Sequence, residues 1–375
     1  MAGTRHRACF RLGLALAAAV AGGHAAKAQL QDYASWQGRI LPAGLAVLWD
    51  VPRGGLDRGA VARSMTRYSA NGTSLGLRTA SGIRLLEAGS GSLLRWLPPD
   101  SIHQATYSFA VSPSGEVAIG RAGYIELRAE NQSARRYRCA DACGPVLALT
   151  FSPDGSLLAY QGTRGLQERR KGLGYAVVLD AHTGLVVARL ESVAARALVA
   201  FSADGRQLST ANTTQIDATE MSGLRSWDTS DWSLTRHLTG TERQWRAIGH
   251  LGRSEFAAAY EADGRLELRD LSNDALIWSE PLIGPSVEDA EPAAADTAGL
   301  SLIEFAPNGR FLVSYESGSR RQVGTIVIRH AGDGSVAAMY DVPGVTGLAI
   351  APDSRTFAYG TRDAQTYMTL AYVPF

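Results

Sequence analysis

From about residue 60 onward, apolar residues come in short runs separated by clusters of Gly, Pro, Asn, Asp and Ser. Inside many runs apolar and polar positions alternate, which is the period of a half-buried strand and not of a helix. One arrangement recurs: an alternating strand ending near Asp or Glu, a turn, and a second short apolar strand. It is seen in Gly82–Glu87 with Ser92–Leu97 and in Tyr175–Asp180 with Leu185–Leu190. It returns in Leu224–Asp228 with Ser233–Leu238 and in Arg265–Asp270 with Ala275–Trp278.

A second phrase precedes each of these pairs: Ser69-Ala-Asn-Gly72, Ser112-Pro-Ser-Gly115, Ser152-Pro-Asp-Gly155, Ser202-Ala-Asp-Gly205, Ala306-Pro-Asn-Gly309 and Ala351-Pro-Asp-Ser354. Pro presets φ early in a turn, Asp or Asn bonds to nearby backbone, and Gly accepts positive φ. With apolar residues on both sides, each phrase predicts a tight β-hairpin. Glycines 72, 115, 155 and 205 lie about 40 to 50 residues apart, and the gap to Gly309 is about double. A degenerate copy, Leu251-Gly252-Arg253-Ser254, fills that gap.

Four short strands in a repeat of about 40–45 residues mark a propeller blade. The expected fold is therefore all-β: a seven-bladed β-propeller of four-stranded antiparallel blades. The blades are expected at 61–97, 104–139, 146–190, 196–238, 245–280, 299–341 and 345–373. The last has three strands of its own. The unused strand Leu45–Val51 is expected to complete it and close the ring, hiding two edges that would otherwise recruit other strands. An eight-bladed ring is the alternative.

The phrase Phe151-Ser-Pro-Asp-Gly155 and the Trp227-Asp228 pair resemble WD40-type and related bacterial periplasmic propeller repeats. The resemblance spans nearly all of 45–375 and concerns architecture only. The Gly-His dipeptide of strong WD40 repeats occurs once in the repeats, at Gly249-His250. The resemblance implies strands running outward from a central axis. The loops between second and third strands would then share one face with the links between blades.

That face carries the insertions. Gln161–Gly174 holds Arg164, Arg169, Arg170 and Lys171, and Ser317–Gly324 holds Arg320 and Arg321. Asn212–Gly223 carries Asp217 and Glu220, and Pro281–Ala298 is an acidic, Ala-rich link. Long loops on a rigid scaffold are where binding concentrates. The six basic residues are thus the candidate binding residues, for a protein partner not identified by sequence.

The N-terminus reads differently. Arg5, Arg7 and Arg11 precede the apolar run Leu12–Val20, and Ala26-Lys-Ala28 supplies small residues at signal-peptidase spacing. This predicts a cleaved signal peptide, 1–28, then a linker, 29–44, and the propeller, 45–375. The apolar run is well short of the roughly 20 residues that span a bilayer. A periplasmic or secreted location follows, with no membrane span. Removing 1–28 leaves 33 basic and 36 acidic side chains, a formal −3. That balance shows no broad electrostatic footprint for nucleic acid. Only Cys139 and Cys143 then remain, and in an oxidising compartment they are a disulfide candidate.

Signs of catalysis are thin. Gly72-Thr-Ser-Leu-Gly76 matches the nucleophile-elbow pattern but sits in a hairpin with no helix after it. No metal site is expected from His103, His182, His237, His250 or His330, because none has a second ligand at useful spacing. Innermost strands are apolar or hydroxylic, and Glu304 is their notable carboxylate. No cofactor is called for. The expected function is a scaffold, a monomer or one subunit of a complex, that binds a protein or ligand through its loop-rich face. Two alternatives are a metal-assisted hydrolase working at the central funnel and a non-catalytic subunit of an electron-transfer complex.

Overall fold

The structure is a computed structural model. It describes residues 47–52, 66–79, 82–98, 106–139, 143–162, 173–194, 197–212, 223–238, 244–251, 254–260, 264–283, 299–317, 324–342, 345, 347–360 and 366–372.

Strand β1 (Val47–Pro52) comes first. The first sheet is β2 (Thr66–Tyr68), β3 (Ser74–Thr79), β4 (Gly82–Glu87) and β5 (Leu93–Leu97). The second is β6 (Ser108–Val111), β7 (Val117–Gly120), β8 (Tyr124–Arg128) and β9 (Arg135–Arg138). The third is β10 (Ala148–Phe151), β11 (Leu157–Gly162), β12 (Leu173–Asp180) and β13 (Val186–Ala194). The fourth is β14 (Ala197–Phe201), β15 (Gln207–Asn212), β16 (Leu224–Asp228) and β17 (Leu234–Leu238). The fifth is β18 (Gln244–Leu251), β19 (Ser254–Tyr260), β20 (Arg265–Asp270) and β21 (Ala275–Pro281). The sixth is β22 (Gly299–Phe305), β23 (Phe311–Ser317), β24 (Gly324–His330) and β25 (Val336–Val342). Last come β26 (Gly347–Ile350), β27 (Thr356–Gly360) and β28 (Thr366–Tyr372).

The described strands form seven four-stranded antiparallel sheets, the blades of a β-propeller. In the last sheet the order is β1-β28-β27-β26, with Trp49 opposite Leu370 and Asp50 opposite Thr369. The innermost strands touch in turn, β2 to β6, β10, β14, β18, β22 and β26, and β26 packs on β2.

Position in the sheet explains the local sequence pattern. A middle strand is covered on both faces, so it reads as a nearly continuous apolar run. Val117–Gly120 is buried throughout, and so are the first six residues of Gly324–His330. Outermost strands face solvent and alternate or open outward, as in the basic strand Arg135–Arg138. The core lies between the sheets. Ile83, Leu85 and Leu97 of the first sheet pack on Phe109, Val111, Val117 and Ile119 of the second. Similar clusters join the second sheet to the third and the sixth to the last.

The recurrent turn phrase is a self-contained hydrogen-bond unit. The Ser152 hydroxyl donates to Asp154 Oδ1 at 2.5 Å and accepts from the Leu157 amide at 2.9 Å. The same bonds recur around Ser202 and Asp204. The turns also touch each other. Gly155 has φ +77°, and a Cβ there would lie 2.9 Å from Pro113 of the preceding sheet. The relation repeats between Gly205 and Pro153, and between Gly72 and Pro352 of the last sheet. On the same side, the turns after third strands are capped by Asp180, Asp228 and Asp333, which accept from the amides of Thr183, Ser230 and Ser335. These hydroxyl and amide donors hold the carboxyls of Asp154, Asp180, Asp204, Asp228 and Asp333 below the usual range.

Candidate functional site

The turn phrases set the register of the innermost strands. Two residues before each turn begins, the seven strands present Arg67, Ala110, Thr150, Ala200, Gly249, Glu304 and Ala349. Five of these are small and uncharged, and a cavity lies beside three members of the layer, Arg67, Ala110 and Thr150. Its volume is about 500 Å³. Arg67, Ala110, Thr150 and Leu198 line it, with Phe109 and Phe151 behind.

The two long residues of this layer meet. Arg67 Nη1 lies 3.6 Å from Glu304 Oε1. They come from the first and sixth sheets, which are separated by the last, and the small Ala349 leaves room between them. At 3.6 Å the contact is an ion pair but too long for a hydrogen bond. Arg67 Nη1 also donates to the Thr66 carbonyl at 2.9 Å. Among the described residues the Glu304 carboxylate has no other polar partner. Its side chain is 39% exposed. Desolvation by the surrounding protein pushes the Glu304 carboxyl up, with Arg67 acting the other way. Burial likewise raises the phenol of Tyr68, the residue after Arg67, so Tyr68 stays protonated at ordinary pH.

This carboxyl has a signature that can be separated from the rest of the molecule. A carboxyl raised in the folded state is disfavoured when ionised, so its contribution grows more favourable as pH falls through the raised pKa. The depressed turn aspartates act oppositely: their stabilisation is present above the unfolded value and is lost as pH falls through their folded pKa. Glu304→Gln keeps the turns and removes only the first effect. The variant is therefore expected to melt no lower than wild type at pH 7–8. Any advantage should shrink toward pH 5. Thermal melts of both proteins across that range check this, and a wild type that melts distinctly higher at pH 8 would contradict it.

Other residues expected to matter distribute as follows. Arg164, Arg169, Arg170 and Lys171 fall between β11 and β12, and Arg320 and Arg321 fall between β23 and β24; all six lie outside the described residues. So do His103, Asp217 and Glu220, together with the side chain of His250. Cys139 and Cys143 are joined as a disulfide and are packed in the core between the second and third sheets. The Cys139 amide donates to the Gly123 carbonyl and the Gly123 amide to the Gly144 carbonyl, which ties this link to the hairpin between β7 and β8. His182 is exposed in its turn, His237 is exposed on β17, and exposed His330 rests against Phe311 with ring centroids 5.0 Å apart. Gly72 and Ser74 belong to the hairpin joining β2 to β3. Among the described residues no group of three or more His, Cys, Asp or Glu side chains is placed to hold a metal ion. No described helix is long and apolar enough to cross a membrane.

Sequence reading singled out Glu304 and missed Arg67. The signal was available, since both stand two residues before a turn phrase. It also missed a fully buried pair, Glu316 with Arg329. Arg329 Nη1 donates to Glu316 Oε1, the Ser314 hydroxyl adds 2.6 Å to the same oxygen, and the Ile283 amide donates to Oε2. Arg329 Nη2 reaches the Pro281 carbonyl at 3.3 Å. The group stitches the sixth sheet to the end of the fifth. Compared with known proteins, the chain matches no protein-family model and no curated protein sequence.

Proposed function

We propose that this chain is an exported binding scaffold: seven blades in one ring, β1 as the closing strand, and a partner engaged on the face of the blade-to-blade links. The observation that carries the reading is the contrast between the two faces. On one, the turns are short and spend their polar groups on themselves and on each other, as Ser152, Asp154 and Asp180 do. Little is left there to recognise a partner. Strands β11, β15 and β23 deliver the chain to the other face, where the connections run ten, eleven and six residues, 163–172, 213–223 and 318–323. Those segments carry Arg164, Arg169, Arg170, Lys171, Arg320 and Arg321, and recognition by this basic set points to an acidic protein surface. The Cys139–Cys143 bridge lies on the same face and suits an oxidising compartment. Signal-peptide cleavage after Ala28 would place the mature chain in the periplasm or outside the cell. The WD40-like character of the repeats belongs to this reading as well.

Site-specific photo-crosslinking tests it. A photoreactive residue at Gln167 or Arg320 is expected to give an adduct in the exporting cell, on protein beginning at Gln29. One at Ser156 or Ser335 on the turn face should give none. Charge reversal of Arg169, Arg170 and Lys171 should abolish the Gln167 adduct. Adducts confined to the turn-face positions would overturn the proposal.

A further inference from the structure

The cavity beside the innermost strands carries an inference independent of the partner face. We propose that it binds an apolar monocarboxylate, an ionised acid with an aryl or short alkyl body, with the carboxylate on Arg67.

Three observations converge. The first is composition. The cavity of about 500 Å³ is lined by residues of β2, β6, β10 and β14 and by positions next to them, and ten of the fourteen are Ala, Val, Leu or Phe. Small-molecule sites have this make-up, mostly apolar with a few placed polar groups, in clefts of about 300–1,000 Å³. The second is charge. Arg67 is the one charged residue of the lining. The Ser108 hydroxyl donates to the Val146 carbonyl at 2.7 Å and the Thr150 hydroxyl to the Phe151 carbonyl at 3.3 Å, so neither competes with Arg67 as a donor. A ligand seated here therefore meets a single full charge, and that charge is positive. An apolar cation would be repelled. A neutral ligand would strip water from the guanidinium and give no partner in return. A phosphate monoester would bring two negative charges to one positive one. The third is the geometry of Arg67. Its Nη1 is occupied, donating to the Thr66 carbonyl at 2.9 Å and lying 3.6 Å from Glu304 Oε1. Among the described residues nothing bonds to Nε or Nη2. These two nitrogens share one edge of the planar guanidinium, and their N–H groups form the fork that matches both oxygens of a carboxylate. The side chain is 43% exposed, so protein does not seal that edge.

Glu304 then acts on affinity from outside the lining. Its carboxylate attracts Arg67 from the Nη1 side, and it repels a second carboxylate arriving at the Nε and Nη2 edge. Removing Arg67 should therefore weaken the ligand, and removing the charge of Glu304 should strengthen it. Both substitutions break the same ion pair, so a purely structural role for that pair would shift binding in one direction for both.

The test is isothermal titration, at pH 8, of protein beginning at Gln29 with 3-phenylpropanoate and octanoate. Three controls change only the head group: 3-phenylpropanamide, phenethylamine and phenyl phosphate. At least one of the two carboxylates is expected to bind, and each control to bind about tenfold more weakly or worse, the scale of a lost charge-assisted hydrogen bond. Arg67→Met is expected to weaken the carboxylate by about tenfold or more. Glu304→Gln is expected to tighten it by about threefold or more. Thr150→Phe fills the cavity and should abolish binding while Arg67 remains. Circular dichroism confirms that each variant is folded, and the three substitutions sit on different blades, so one misfolded variant leaves two tests. The proposal is overturned if neither carboxylate binds at about 10 mM, tenfold above a Kd of about 1 mM. It is also overturned if folded Arg67→Met or Thr150→Phe binds as wild type does, if Glu304→Gln leaves binding unchanged or weaker, or if any control binds as well as the carboxylates.

Discussion

Glu316→Ala is expected to destabilise the protein by about 3–5 kcal/mol, the range for removing one partner of a fully buried ion pair. Both side chains are sealed from solvent, at 0% and 1% exposure, so water cannot solvate the arginine left behind. The loss reaches further than one salt bridge. Glu316 also accepts from the Ser314 hydroxyl and the Ile283 amide, and both bonds would be lost in the same step. Urea unfolding followed by tryptophan fluorescence measures the change as a lower midpoint. A double replacement, Glu316→Leu with Arg329→Met, separates charge burial from packing. Replacing a buried pair by apolar side chains of similar size is often neutral, so the double variant should recover most of the loss. A single variant within about 1 kcal/mol of wild type would show that water enters between the fifth and sixth sheets.

The second large effect concerns β1. A variant lacking residues 29–52 is expected to lose most of its soluble monomer, while one lacking only 29–44 should behave as wild type. Without β1 the last sheet has three strands, and β28 offers a bare row of amide and carbonyl groups from Thr366 to Tyr372. Such an edge pairs with other chains. Size-exclusion chromatography with light scattering reads the outcome as dimers and larger species. The remaining monomer should melt roughly 10 °C lower, since each kcal/mol shifts Tm by about 2–4 °C in chains of 150–250 residues. A well-behaved monomer of residues 53–375 would remove β1 from the closure of the ring.

The sheets were largely legible in the sequence because their turns are local. Ser152, Asp154 and Gly155 make their turn from bonds spanning five residues or fewer, so sequence chemistry alone locates it. The degenerate copy was also readable: Leu251 pairs with Ser254, which leaves residues 252 and 253 as the connection. Strand ends were less legible. The strand expected from Tyr175 begins at Leu173, because Leu173 and Gly174 pair with Ala194 and Val193 of a partner strand that itself extends past Leu190. The Arg67–Glu304 pair was half legible. Glu304 drew notice as a carboxylate in an apolar strand, but Arg67 is more than two hundred residues away, and only the ring brings the two together. Glu316 with Arg329 was hidden for a related reason. They lie on neighbouring strands across a register, Glu316 opposite Thr325, that apolar patterning does not report.

The antiparallel register of β1 on β28 has a mechanical consequence. Val47 lies opposite Ala371, so the first and last described strands meet with these two ends side by side. A load applied between these two ends would act on the first hydrogen bond of the ladder, then the next. The strands would peel like a zipper, and no step would require the whole ladder to slide at once. Tension applied between residues 47 and 371 is therefore expected to open this sheet more easily than tension that shears the same ladder. Attachment of this protein to a surface or a fusion partner is best made through one end only.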